Sequence, residues 1–257
     1  REAPSGAWSG KGTRMRIHHQ ARTDTGRRSN NEDALLLAPE LGLFAVADGM
    51  GGYEGGELAS QLALGSLRGY FDLLGPHADF GLEADVQLAV SRMDLGIRIA
   101  DREIRRAAVG PLEKMGTTLV SLVVQGSRAL VAHVGDSRVY LAREGRLAPL
   151  TRDHSLYAEM EAAGLPGLPP RKLCSFTHVI TRALGQGPDS RADIRVVDVE
   201  PGDRFILCSD GLTDVLGDDE IEALACEPEG TATALVNAAY TRGSADNITV
   251  VVVDVAG

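Results

Sequence analysis

Leu43-Phe44-Ala45-Val46-Ala47-Asp48-Gly49-Met50-Gly51-Gly52 is a short apolar run that ends in a carboxylate and a burst of glycine. Short, apolar and bounded by breakers, it reads as a buried strand with Asp48 at its end. The pattern recurs. Ala129 to Gly135 is apolar and ends in Asp136; Phe205-Ile206-Leu207-Cys208-Ser209 ends in Asp210, followed by Gly211. A fourth case is inverted, with Asp246-Asn247 just before Ile248 to Val253. Taken singly, each aspartate reads as a cap or turn residue. In antiparallel pairing the end of one strand lies beside the start of the next, so all four are expected at one edge of a core. Clustered carboxylates repel one another unless a cation neutralises them. Oxygen ligands without His or Cys pairs favour a hard ion such as Mg²⁺ or Mn²⁺.

Around this strand the chain alternates strands in hairpin-like runs with helices in pairs. Ile17 to Thr23, Ala34 to Ala38, Thr117 to Val124, Ala129 to Val134, Arg138 to Arg143 and Arg146 to Leu150 read as strands. Val179 to Arg182, Ile194 to Val199, Arg204 to Ser209 and the run from Ile248 follow as further strands. Helical spacing of apolar residues is expected over Glu57 to Leu74 and from Val86 to Ile104. Shorter helices are expected at Ser155 to Ala163, Asp218 to Cys226 and Thr231 to Arg242, with a proline-bearing loop at Leu165 to Ser175. Two antiparallel sheets packed face to face, each covered by a helix pair, accommodate this order: an α+β, αββα sandwich.

Composition narrows the class. The chain has 257 residues, 44% hydrophobic and 24% charged, which suits one large globular domain. A net charge of −10 argues against a nucleic-acid groove as the main function. Cys174, Cys208 and Cys226 are odd in number and lack metal spacing, so a reducing, cytoplasmic setting is expected. No stretch approaches the roughly 18 apolar residues of a membrane helix, and no secretion signal opens the chain. Residues 1–14 lack periodicity and are expected to be a disordered extension or linker; the catalytic domain is expected over 15–257.

Ordered motifs now carry a family resemblance. Arg28-Ser29-Asn30-Asn31-Glu32-Asp33, Asp48-Gly49-Met50-Gly51-Gly52 and Met115-Gly116-Thr117-Thr118 come first. Gly135-Asp136-Ser137-Arg138, Arg152-Asp153-His154-Ser155, Ser209-Asp210-Gly211-Leu212-Thr213-Asp214 and Ser244-Ala245-Asp246-Asn247 complete the series. Over about residues 16 to 255 this order resembles the metal-dependent protein phosphatases of type 2C in their bacterial form. The resemblance implies hydrolysis of phosphoserine and phosphothreonine by a water bridging two Mn²⁺ or Mg²⁺ ions. It implies Asp48 as the bridge, the Gly49 carbonyl on one ion, and Asp210 and Asp246 on the other. Asp136, with Asp210, would hold a third ion. Glu32 and Asp33 would support the metal waters, Asn247 would fix the loop around Asp246, and Arg28 would clamp the phosphate. A guanidinium fork suits two phosphate oxygens.

One departure stands out. Relatives carry a histidine, a candidate acid for the leaving alkoxide, at the places of Met50 or Tyr53. Met50 has no proton to donate, so the acid stays unassigned. His18, His19, His77, His133 and His178 show no paired spacing and read as satisfied or solvated; Asp153 and His154 read as structural. The segment Leu156 to Ser175 takes the place of the flap that varies among relatives and is expected to select substrates. Phosphorylated proteins and an opposing Ser/Thr kinase are the implied partners, with no nucleic acid and no membrane, and a monomer is expected. The alternative is a non-catalytic scaffold domain of the same fold; a scaffold is free to lose Asp48, Asp210, Asp246 or Arg28, and all four are present.

Overall fold

The computed structural model describes residues 15–51, 54–75, 80–187, 190–226 and 230–257. The expected extension at 1–14, together with Gly52, Tyr53 and His77, lies outside the described residues.

Eleven strands form two sheets among the described residues. One sheet has the order β1 (Arg16–Asp24), β11 (Ile248–Ala256), β10 (Arg204–Cys208), β7 (Arg138–Arg143), β8 (Arg146–Pro149). The other runs β2 (Asp33–Ala38), β3 (Leu43–Met50), β5 (Leu119–Gln125), β6 (Arg128–Val134), β9 (Asp193–Asp198), and the two-residue β4 (Gly116–Thr117) pairs with the end of β3. Every pairing is antiparallel. Helices α1 (Glu54–Leu74) and α2 (Val86–Ala107) cover the second sheet, and α5 (Asp218–Ala225) and α6 (Thr231–Arg242) cover the first. Two further helices are short, α3 (Leu156–Ala162) and the single turn α4 (Asp210–Thr213).

Strand side chains alternate faces, and in β3, β5, β6, β10 and β11 both faces are buried, which is why these strands read as nearly continuous apolar runs. In β3, Leu43, Ala45 and Ala47 face α1 and α2, whereas Phe44 and Val46 face the opposite sheet. In β11, Val251, Val253 and Val255 enter the inter-sheet core, and Ile248, Val250 and Val252 meet α5 and α6. Three apolar layers thus separate four layers of secondary structure, the αββα sandwich expected from the sequence.

Two expectations need correction. Val179 to Arg182 is not a strand: Ile180 makes only an isolated bridge to Ser155, and the stretch is tied by Leu156 N–H to Val179 O and Thr181 N–H to His154 O, both at 2.8 Å. The pairing stops at one bridge because the chain opposite turns into α3 at Leu156. Asp48 is not terminal either. β3 continues to Met50, because β4 and the loop ahead of β2 supply partners for Gly49 and Met50.

Candidate active site

At one end of the sandwich the inter-sheet face changes from apolar to polar by strand alternation alone. Asp48 follows Phe44 and Val46 on the same face, and its cross-strand partner is Asp33. Thr118 precedes Val120, Ser209 follows Phe205 and Leu207, and Thr249 precedes Val251. These residues meet. Ser209 Oγ donates to Asp33 Oδ2 at 2.8 Å and accepts from Thr249 N–H at 3.0 Å. Thr118 Oγ1 accepts from Asp48 N–H at 3.0 Å and lies 2.8 Å from Ser137 Oγ. Thr117 Oγ1 and Thr118 N–H both donate to Asp48 O, at 2.8 and 2.9 Å. The Gly-Thr-Thr motif therefore fixes the backbone of Asp48.

The structure brings the predicted aspartates together. Burial holds the Asp48 carboxyl well above the usual carboxylate range, and Asp33, Asp210 and Asp136 add to the rise. Asp210 opens α4; burial raises it too, with Asp136, Asp214 and Asp246 as the next contributors. Burial likewise pushes Asp33 and Asp136 up to about 6. Asp214, to which the sequence assigned no role, is raised by burial within the same group. Three buried oxygens, Asp33 Oδ1, Asp136 Oδ1 and Asp210 Oδ1, take no hydrogen bond in this structure. Buried, mutually repelling and partly unpartnered, this set of oxygen donors fits hard divalent cations.

The supporting residues are also in place. Asn247 Oδ1 accepts from Glu32 N–H at 2.8 Å, and its amide donates to Thr25 O and Asn30 O at 2.9 Å each, so it staples the loop ahead of β2 to β11. Glu32 Oε1 accepts from Asn30 Nδ2 at 3.1 Å. Gly49 donates its N–H to Glu32 O at 3.2 Å. A Cβ on Gly49 would lie 2.1 Å from Gly56 O, so α1 reaches the aspartates only because neither residue has a side chain. Arg28 differs from expectation in its partner. Its Nη2 donates to Asp246 Oδ2 at 2.6 Å, so the predicted phosphate clamp is paired with a predicted metal ligand.

His133 and His154 are buried and hydrogen-bonded and His178 is largely exposed, in keeping with their satisfied, structural and solvated readings, but each meets a group that spacing along the chain did not indicate. His178 Nδ1 lies 3.3 Å from Asp214 Oδ2, beside Asp210. His133 and His154 stack at 4.4 Å, and His154 Nε2 lies 3.4 Å from Asp193 Oδ2. Burial, then His133 and Arg182, hold the His154 imidazole down to about 4. Sequence spacing carries no trace of these meetings, because they join residues distant along the chain.

Comparison with known proteins identifies the family. Residues 22–244 match the family model for protein phosphatase 2C. The serine/threonine protein phosphatase PstP of Mycobacterium tuberculosis is 36% identical over 246 residues, a match that covers 93% of this chain and 45% of PstP. The chain therefore spans less than half the length of that relative. The serine/threonine phosphatase stp of Listeria welshimeri is 32% identical over 251 residues, covering 93% of this chain and 96% of the relative. The crystal structure of the PstP catalytic domain in complex with two manganese ions has a TM-score of 0.81 and 34% identity, covering 95% of this chain and all of that one. The chain belongs to the protein phosphatase 2C family, in its bacterial serine/threonine phosphatase form.

Proposed function

We propose that this chain is a metal-dependent phosphatase that hydrolyses phosphoserine and phosphothreonine in proteins phosphorylated by a Ser/Thr kinase. The observation that carries the reading is the group of buried aspartates with unpartnered oxygens at Asp33, Asp136 and Asp210. Asp48, the Gly49 carbonyl, Asp210 and Asp246 would hold two Mn²⁺ or Mg²⁺ ions, and Asp136 with Asp210 a third. Bound there, such ions acidify water and offset charge on the phosphoryl oxygens.

The chain's own residues do the rest. Asp33, anchored by Ser209, and Glu32, anchored through Asn247 and Asn30, accept hydrogen bonds from water and so aim it across the carboxylate group. Arg28 leaves Asp246 to take two phosphate oxygens, which turns the phosphorus toward that water. Met50 offers no proton to the departing serine or threonine oxygen. No helix among the described residues is long and apolar enough to cross a membrane.

Hydrolysis of a phosphothreonine peptide in Mn²⁺, in EDTA and by Asp210→Asn tests it. The expected loss in EDTA and in the variant is roughly 100-fold or more. Full activity in EDTA would remove the metal, and no activity in any metal would leave a scaffold domain.

A further inference from the structure

Asp136 follows Gly135, and His154 holds Gly135 on both sides. The Gly135 N–H donates to His154 Nδ1 at 3.1 Å, and the His154 N–H donates to Gly135 O at 2.9 Å. Gly135 has a φ of +102°, and a Cβ there would meet Thr118 Cγ2 at 2.6 Å, so the chain turns through a conformation and a gap that suit glycine alone. Asp136 comes next, buried, with its Oδ1 unpartnered. The imidazole is itself held. It stacks on His133 at 4.4 Å, and His133 Nε2 lies 2.8 Å from Arg152 O. A backbone N–H donates in one fixed direction, so His154 Nδ1 accepts and the proton of the neutral ring stands on Nε2, 3.4 Å from Asp193 Oδ2. Arg182 Nη1, 3.1 Å from Nε2, donates to Asp193 Oδ1 at 2.8 Å and keeps that carboxylate in place. His133, His154 and Asp193 lie close enough to share one ion, but this tautomer leaves His154 no lone pair for it.

We propose that His154 is a positioning residue for the cation assigned to Asp136 and Asp210. With the peptide groups on either side of it bonded, Gly135 has both φ and ψ fixed, and so the direction in which Asp136 leaves the chain is set. Without the imidazole, Gly135 keeps the bond at its carbonyl and loses the one at its N–H, and the Asp136 carboxylate is free to swing. Groups that orient a metal ligand without touching the metal typically govern affinity by about 10–100-fold. The cations assigned to Asp48, Gly49, Asp210 and Asp246 draw on other loops and are spared. The inference rests on the phosphatase reading and on its third ion.

Mn²⁺ titration without substrate, with the free ion followed by electron paramagnetic resonance, counts the bound ions and gives each affinity. The parent is expected to bind three. His154→Leu fills much of the ring's space and removes the acceptor. It is expected to weaken one site by about 10–100-fold and to leave the other two within about twofold of the parent, which also shows that the variant is folded. His154→Gln, whose amide lies beyond the Gly135 N–H, is expected to do the same and serves if the leucine variant does not fold. His154→Asn sets a carbonyl oxygen at the place of Nδ1 and is expected to restore the weakened site to within about threefold of the parent. Asp136→Ala is expected to abolish that same site. Equal weakening of all three sites, three parent-like sites in both the Leu and Gln variants, or no recovery in His154→Asn overturns the proposal. A parent that binds two ions removes the third ion, and one that binds none removes the phosphatase reading; the inference falls with either.

Discussion

Thr118 shows how one small hydroxyl governs the site. Its Oγ1 accepts from Asp48 N–H and meets Ser137 Oγ, tying the strand that bears Asp48 to the loop that bears Asp136. Thr118→Val keeps the shape and strips the hydroxyl, leaving a buried N–H without a partner. Urea denaturation in EDTA is expected to show a loss of about 1–3 kcal/mol. Arg28→Ala is a different kind of change. Arg28 is more than half exposed, so stability is expected to stay within about 0.5 kcal/mol, while KM for phosphothreonine peptides rises and kcat changes less. Steady-state kinetics separate these outcomes, and an unchanged KM removes Arg28 as the clamp. The aspartates were legible because each follows or precedes an apolar run. Thr118 and Asp214 were not, since a threonine before a strand and a second aspartate in a turn look ordinary without their neighbours.

Among the elements, β6, β9 and the chain just ahead of α3 share a buried imidazole pair. His133 Nε2 lies 2.8 Å from Arg152 O, and Gly135 N–H donates to His154 Nδ1 at 3.1 Å, which fixes His154 as an acceptor there. An imidazole held down to about 4 in the fold, against 6.5 when free, stays neutral while the unfolded chain takes a proton. Its contribution is fully present above pH 6.5 and is lost as pH falls toward 4. Asp33 and Asp136 act in the opposite sense: raised to about 6, they favour the fold as pH drops from 6 toward 3.8. The comparison that isolates His154 is therefore parent against His154→Gln across pH 7 to 5. The parent is expected to lose on the order of 1–2 kcal/mol more than the variant over that range, read from thermal melts. Long elements were read correctly because periodicity accumulates with length. The failures were short: β4 spans two residues, α4 is one turn begun by Asp210, and Val179 to Arg182 has strand-like residues but makes a single bridge, at Ile180.

For the whole molecule, the inter-sheet layer both holds the sandwich together and ends in the aspartates. Phe44, fully buried and four residues before Asp48, shares that layer with residues of β10 and β11, and its ring lies 5.6 Å from that of His19 on β1 in the opposite sheet. Phe44→Ala is expected to cost about 3–5 kcal/mol by denaturant unfolding, from lost burial and the cavity left behind. The four-layer arrangement was legible because strands buried on both faces are unbroken apolar runs and their helices come in pairs. Which residues cross from one sheet to meet the other was hidden, since register across two sheets is set by packing rather than by spacing along the chain.

Arg28 and Asp246 cancel each other's charge at 2.6 Å. A cation drawn to Asp246 competes with a guanidinium, and an anion drawn to Arg28 competes with a carboxylate. Whichever arrives first frees the seat of the other. Their affinities are thereby linked, and linkage is reciprocal: a cation tightens phosphate by the same factor by which phosphate tightens the cation. With Asp246 taking a cation and Arg28 a phosphate, as proposed above, the pair would make cation and anion mutual effectors, and the site would favour being filled by both over being filled by one.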